Sequence, residues 1–220
     1  MTPEEIQSLV LYRDGLILVL NKPAGIAVHA GSKKADDLEK YFCHLQYGLP
    51  RPPALAHRLD KDTSGCLVLG RHPKALRKLG TLFEKGLIEK TYWAIVEGCP
   101  PGSEGIIDLP LAPQSDKKYH WWMKVDRDGK PAVTHYRVLR EVNGKTWLEL
   151  KPKTGRTHQL RVHCAAMGFP IKGDSIYNPN SQPGVLLHLH AQAICIPLSA
   201  NKSPLLIEAP VPFHMQEWTA

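Results

Sequence analysis

The chain lacks the signatures of several large function classes. Its five cysteines, Cys43, Cys66, Cys99, Cys164 and Cys195, contain no CxxC pair, and their number is odd. That pattern argues against a zinc knuckle and against a disulfide framework, and reduced thiols in a cytosol are the simpler reading. There is no GxGxxG, so a dinucleotide site has no support. A zinc deaminase needs an HxE and a PCxxC, and both are missing. Gly144-Lys145-Thr146 ends like a phosphate-binding loop, but Leu139 stands where its first glycine belongs. No uninterrupted apolar stretch reaches the length of a membrane span. The opening MTPEEIQSLV has neither the basic start nor the apolar run of a signal peptide. Internal repeats and low-complexity tracts are absent as well. A soluble, cytoplasmic protein is expected.

What is present is an ordinary globular composition with a basic bias. The 220 residues are 43% hydrophobic and 22% charged, enough for a buried core in one domain or one domain of two lobes. The net charge is +7 and the pI is about 9.1, which suits an anionic partner such as nucleic acid. The 19 prolines and 17 glycines are scattered, as in a chain of many short strands and turns.

The apolar patterning predicts a strand over Leu16 to Leu20, a turn at Asn21-Lys22-Pro23-Ala24-Gly25 and a returning strand over Ile26 to His29. Asp36 to Gln46 has Leu38, Tyr41, Phe42 and Leu45 at helical spacing. A buried strand is expected over Cys66 to Leu69. A helix should follow, with Pro73 at its first position, Ala75, Leu76, Leu79, Leu82 and Phe83 on one face, and an end near Gly86. Lys90 to Glu97 alternates, with Tyr92, Ala94 and Val96 on one face and Thr91, Trp93 and Ile95 on the other. Asn143-Gly144 predicts a tight hairpin between Val133–Val142 and Lys145–Leu150. Thr157 to Met167 reads as a helix with Gly168 as its C-terminal cap. Late strands are expected over Leu186 to Ile196 and Leu205 to Glu208. Strands outnumber helices, so the fold class is α+β with a central mixed, largely antiparallel sheet and flanking helices.

Three polar segments are candidates for chemistry. Ala56-His57-Arg58-Leu59-Asp60-Lys61-Asp62-Thr63-Ser64-Gly65 is a loop leading straight into an apolar strand, a common seat for a catalytic carboxylate. Taken alone, its composition favours a solvated turn capped by Asp62 or Ser64. Glu89-Lys90-Thr91-Tyr92-Trp93-Ala94 carries a tyrosine that is ordinarily just half-buried. Lys153-Thr154-Gly155-Arg156-Thr157-His158-Gln159-Leu160-Arg161-Val162-His163 is a basic helix start in which Arg156 and Arg161 do not share a face. One is free to meet RNA while the other turns inward, although a plain basic surface helix is the blander reading.

Together these segments resemble the RluA family of RNA pseudouridine synthases. His57-Arg58-Leu59-Asp60 with Thr63-Ser64-Gly65 is similar to that family's catalytic motif. Lys90-Thr91-Tyr92-Trp93-Ala94 resembles its tyrosine strand, and Gly155 to His163 its third motif. Asn21-Lys22-Pro23-Ala24-Gly25, Gly173-Asp174 and Leu186-Leu187-His188 resemble its other landmarks, in family order from about Leu16 to Pro210. The resemblance implies the pseudouridine synthase fold with an RNA-binding cleft, and a single catalytic domain over residues 1–220. No S4-type RNA-binding domain is expected before it.

The same resemblance implies the site. Asp60 is the catalytic carboxylate, Arg161 its cationic partner and Tyr92 the group that handles the proton on C5. Arg58 fills the space left by a flipped base or holds a phosphate; its blander role is a salt bridge. His57, Thr63, Arg156, His158 and Gln159 join Arg58 as substrate-binding residues. The attack of Asp60 on C1′ or C6, or its removal of the C2′ proton, stays open. Substrate and product contain the same atoms, so no cofactor is implied. The partner is RNA, an rRNA or tRNA stem-loop, and a monomer is expected, with no membrane and no metal. Lys33, Lys34, Lys74, Arg77, Lys78, Lys117, Lys118 and Lys124 are candidates for phosphate contact, and Tyr119, Trp121 and Trp122 for stacking. Trp121 and Trp122 would point to opposite faces of a strand, so one of them belongs to the core.

Three other readings compete for these residues. His188 and His190 share a strand face as a metal pair would, but no cysteine pair or carboxylate at a familiar spacing accompanies them. A nucleoside hydrolase generally needs two carboxylates, and Asp62 is the one nearby second candidate. A catalytically silent RNA-binding or RNA-folding module is the alternative from another class; the intact Asp60, Tyr92 and Arg161 argue against it.

Overall fold

The structure is a computed structural model that describes residues 1–29, 36–114, 122–199 and 201–219. The chain divides into two compact units, Met1–Glu89 with Ala191–Pro210, and Lys90–His190 with Val211–Ala220.

In the first unit, helix α1 (Pro3–Ser8) precedes strands β1 (Val10–Arg13) and β2 (Ile17–Lys22), then β3 (Ala54–Leu55), β4 (Ser64–Gly70) and helix α2 (Pro73–Glu84). Strands β2 and β4 pair antiparallel from Ile17↔Gly70 to Lys22↔Gly65. Every residue of β4 is buried, which explains its unbroken apolar run. Pro73 opens α2, whose N-cap His72 accepts the Ala75 N–H, and Gly86 takes φ 66° just beyond its end. Leu79 packs with Ile17, Val19, Cys66, Val68, Ile194 and Ile196, and Leu82 and Phe83 flank that cluster.

The second unit begins with strand β5 (Glu89–Glu97), whose first residue still belongs to the first unit, and continues through β6 (Glu104–Asp108), β7 (Leu111–Pro113), β8 (Met123–Val125), β9 (Val133–Val142) and β10 (Lys145–Pro152) to helix α3 (Gln159–Ala166). Strands β5, β10, β9 and β6 lie side by side in that order, each pair antiparallel. Asn143 and Gly144 join β9 to β10 with φ 52° and 72°, the double positive φ that the dipeptide predicts. The alternation of β5 also holds: Ala94 and Val96 pack with Leu148, Leu150, Leu160 and Cys164, with Tyr92 against the same cluster. On the opposite face Trp93 meets Trp147 edge-on, ring centroids 4.9 Å apart. Strand β11 (Leu189–Ile196) starts in the second unit and ends in the first, where β12 (Leu205–Glu208) pairs with it antiparallel. The α+β class and the largely antiparallel pairing agree with the sequence reading.

Four elements differ from expectation. Ile26 to His29 is not a strand; Ala27 makes an isolated parallel bridge to Asp37, and the buried Lys22 ammonium takes the Ile26 carbonyl that a ladder would use. Leu38–Leu45 is a 3₁₀ helix started by Asp37, still burying Leu38, Phe42 and Leu45. Helix α3 begins at Gln159 and not Thr157, because His158 sits in the left-handed region at φ 51°. Strand β11 begins at Leu189; Leu186 is exposed, and its carbonyl accepts a bond from His188 Nδ1 instead of a strand neighbour. The expected cap at Gly168 is present, at φ 85°.

Candidate active site

The Asp60 loop is held from two sides. After β3 the chain keeps bonding to β4: the Ala56 N–H donates to the Val68 carbonyl at 3.1 Å, and the Val68 N–H donates to His57 Nε2 at 3.0 Å. An acceptor Nε2 fixes His57 as the neutral Nδ1–H tautomer, and its ring lies 4.9 Å from that of Phe83. Arg58 is then exposed, Leu59 is buried as an anchor, and Asp60 is half-buried. The Thr63 N–H closes the turn onto the Asp60 carbonyl at 3.2 Å. The Thr63 hydroxyl is buried and has no hydrogen-bond partner among the described residues, an arrangement suited to a bound molecule.

Lys22 supports this turn from beneath, and the sequence reading gave it no role. It is fully buried at the end of β2. Its ammonium donates to the carbonyls of Pro23 and Ile26, both at 2.8 Å, and of Lys61 at 2.9 Å. The Gly25 N–H also donates to the Lys61 carbonyl. One side chain thus ties the 23–26 turn to the peptide next to Asp60. Burial pushes the Lys22 pKa down to about 8, while the Asp62 and Asp60 carboxylates pull it back up.

The remaining candidates lie in the second unit. Tyr92 is half-buried on the core-facing side of β5, opposite Leu150. Lys90, near the start of the same strand, donates to the Thr154 carbonyl at 3.2 Å, and its burial lowers its pKa. It anchors the loop that leads to α3. Gln159 completes that anchoring. Its Oε1 accepts from the Thr154 hydroxyl and the Arg156 N–H; its Nε2 donates to the Val133 carbonyl and the Thr134 hydroxyl. Gln159 is 4% exposed, so its amide is engaged with the protein itself. Arg156 is exposed, with Nε donating to the Pro131 carbonyl. His158 is half-buried, and its Nδ1 bonds the Tyr177 hydroxyl at 2.7 Å.

Arg161 turns inward. Its Nε and Nη2 donate to the Asp174 carboxylate at 2.8 and 2.7 Å, with both side chains almost completely buried. The Ile176 and Tyr177 N–H groups donate to the same carboxylate. Burial raises the Asp174 pKa, and the Arg161 fork with those two N–H groups more than offsets it, so the net direction is down. The inward and outward arginines match the expectation that Arg156 and Arg161 face different ways.

Among the described residues, then, His57, Arg58, Asp60 and Thr63 share one loop of the first unit. Tyr92, Arg156, His158, Gln159 and Arg161 belong to the second. Lys74, Arg77 and Lys78 are exposed on α2, on the side away from Ala75 and Leu79. Lys124 is exposed and paired with Asp126 at 2.7 Å, and Trp122 is half-buried, its ring 6.4 Å from Tyr177. Lys33, Lys34, Lys117, Lys118, Tyr119 and Trp121 lie outside the described residues. His188, half of the possible metal pair, is pushed by burial to a pKa of about 4, with its Nδ1 on the Leu186 carbonyl. No described helix is long and apolar enough to cross a membrane.

Comparison with known proteins gives this constellation its context. Residues 16–166 match the family model described as RNA pseudouridylate synthase. An RNA pseudouridine synthase of Zymomonas mobilis is 43% identical over 92% of this chain and 93% of its own. The ribosomal large subunit pseudouridine synthase C of Buchnera aphidicola is 34% identical over 95% of this chain and 69% of its own. The solved structure of human RNA pseudouridylate synthase domain containing 4 superposes with a TM-score of 0.81 at 27% identity, covering 99% of this chain and 95% of that one. The fold is therefore that of pseudouridine synthases, and the chain belongs to the RNA pseudouridylate synthase family, of the RluA type that its motifs resemble, as an isomerase that acts on RNA.

Proposed function

We propose that this enzyme converts specific uridines in structured rRNA or tRNA to pseudouridine, with Asp60 as the catalytic carboxylate. An rRNA substrate is supported by the name of the Buchnera aphidicola relative, a ribosomal large subunit pseudouridine synthase. The observation that carries the reading is the fixed turn of Asp60. Its carbonyl closes the turn on Thr63, and its neighbour Lys61 is held by the buried Lys22. A reacting group gains most when its position is set before the substrate arrives.

The reaction breaks the N1–C1′ bond, rotates the uracil and forms a C5–C1′ bond. The proton on C5 leaves and N1 ends protonated, so atoms balance without a redox partner or energy source. Asp60 must act as a carboxylate beside the sugar, with Arg161 as its cationic partner. Tyr92 handles the C5 proton, with its ring against the base. A stacked uridine cannot reach such a group, so the base is flipped into an RNA-binding cleft with Asp60 at its floor. Arg58, exposed next to Asp60, occupies the vacated stack or holds a phosphate. The buried Thr63 hydroxyl bonds the uridine; Arg156, His57 and His158 contact the RNA, and Gln159 contributes by holding the Arg156 loop. Lys74, Arg77 and Lys78 present an exposed basic stripe for phosphates. The two units act as one catalytic domain, monomeric and cytoplasmic.

The test uses purified protein and unmodified rRNA and tRNA. Wild type should form pseudouridine, and Asp60→Ala should form none while binding RNA as tightly. Release of free uracil would point to a hydrolase. Equal RNA binding by both proteins with no product from either would leave a silent RNA-binding module.

A further inference from the structure

Asp174 has no part in the scheme above, yet it is among the most completely engaged groups in the second unit. It is 0% exposed and accepts four N–H groups: Nε and Nη2 of Arg161, and the backbone of Ile176 and Tyr177 at 2.9 and 3.1 Å. The turn that carries it is rigid. The Asp174 N–H donates to the Ile171 carbonyl, and the Asn178 N–H donates to the Asp174 carbonyl. Gly173, at φ 76°, packs so closely on the Leu186 carbonyl that a Cβ has no room. Tyr177, from the same turn, places its ring 5.3 Å from the Arg161 guanidinium carbon. Its hydroxyl accepts the Met123 N–H and shares a hydrogen bond with His158 Nδ1.

We infer that Asp174 is a positioning residue for pseudouridine formation, fixing the plane and depth of the Arg161 guanidinium through a two-point bond. Simple neutralisation would need one oxygen anywhere near the charge. The fork instead uses both oxygens, and two backbone N–H groups pin one of them. A guanidinium held on one edge in this way keeps the donors of its Nη1 side in a set direction. The inference rests on the reading that Arg161 serves the reaction.

The experiment measures kcat, KM and RNA affinity for Asp174→Asn and Arg161→Lys in the full chain, on the RNA that wild type modifies. The folded fraction is read from circular dichroism, and the Arg161 Nε–H resonance from NMR. Asp174→Asn keeps an oxygen for Ile176 and Tyr177 but loses the charged fork. The expected result is a fall in kcat of roughly 100-fold per folded molecule at unchanged RNA affinity, the scale of a misplaced reacting group. The protected Nε–H signal should be lost with it, and the double variant should be little worse than either single one, because the pair acts as a unit. If Asp174→Asn does not fold, Asp174→Glu replaces it, retaining the charge but shifting the fork by one methylene. The same kcat loss at unchanged affinity is expected.

Turnover within about twofold of wild type in the folded Asp174 variant, with Arg161→Lys impaired, overturns the inference and leaves the role of Arg161 standing. Wild-type turnover by Arg161→Lys removes that role and the inference with it.

Discussion

At the scale of single residues, buried charges hold the loops of this protein in place. Lys22 is the clearest. Its ammonium satisfies three carbonyls, and removing it takes the donor from those of Pro23 and Ile26 and leaves the Lys61 carbonyl with the Gly25 N–H alone. Lys22→Met should therefore cost about 3 kcal/mol or more, measured by urea unfolding. The sign of its pH effect is fixed. A folded pKa of about 8 lies below the ordinary lysine value, so between pH 8 and pH 10 the unfolded chain binds more protons. The stability that Lys22 contributes relative to Lys22→Met should rise over that window. A titration of labelled Lys22 should give a pKa near 8; an unshifted one would contradict the burial. Neither Lys22 nor Asp174 could be assigned these tasks from the sequence. Their partners are Lys61 and Arg161, and which distant groups a buried charge will meet is decided by tertiary packing. Asp60, Tyr92 and Arg161 are legible because the short motifs around them resemble those of a known family, a likeness that needs no knowledge of the fold.

At the scale of elements, the sequence was most informative where local chemistry decides. Asn143-Gly144 specified a hairpin through φ alone, and β9 and β10 pair from Lys145↔Val142 as that turn requires. Gly144→Val should destabilise by about 1 kcal/mol, seen as a lowered unfolding midpoint, because a β-branched residue resists φ 72°. Gly65 is a harsher case. At φ 106°, its added Cβ would overlap the Ala191 carbonyl in the neighbouring strand, so Gly65→Ala should leave little folded protein in solubility and circular dichroism assays. Local pattern misleads where a side chain competes with the backbone. Ile26 to His29 looks like a strand, yet Lys22 takes its carbonyl; Thr157 looks helical, yet His158 turns left-handed beside Tyr177. Helix α1 was missed although Thr2, Pro3 and Glu5 spell a capping box with proline at its first position. On α2, Lys74, Arg77 and Lys78 share the solvent side. Replacing all three by alanine should weaken RNA binding and flatten its dependence on salt by roughly two to three units of slope, measured by filter binding across a salt series. An unchanged slope would show that the stripe does not touch phosphate.

At the scale of the whole molecule, the family, the α+β fold and a net charge of +7 agree on an RNA-modifying isomerase. Asp60 belongs to the first compact unit, and Tyr92 and Arg161 belong to the second. Each carries its own anchoring: Lys22 under the Asp60 turn, and Lys90, Gln159 and Asp174 around α3. Catalysis of this kind depends more on placement than on reagent strength, which fits a chain that devotes so many buried polar groups to fixing loops. The central claim is that Asp60 carries out pseudouridine formation at defined sites. Transcriptome-wide pseudouridine mapping in cells with and without this protein, each complemented with wild type or Asp60→Ala, tests it most directly. Without the protein, one or a few uridines in rRNA or tRNA should lose the modification, and wild type alone should restore it. Restoration by Asp60→Ala, or no site that changes, would contradict it.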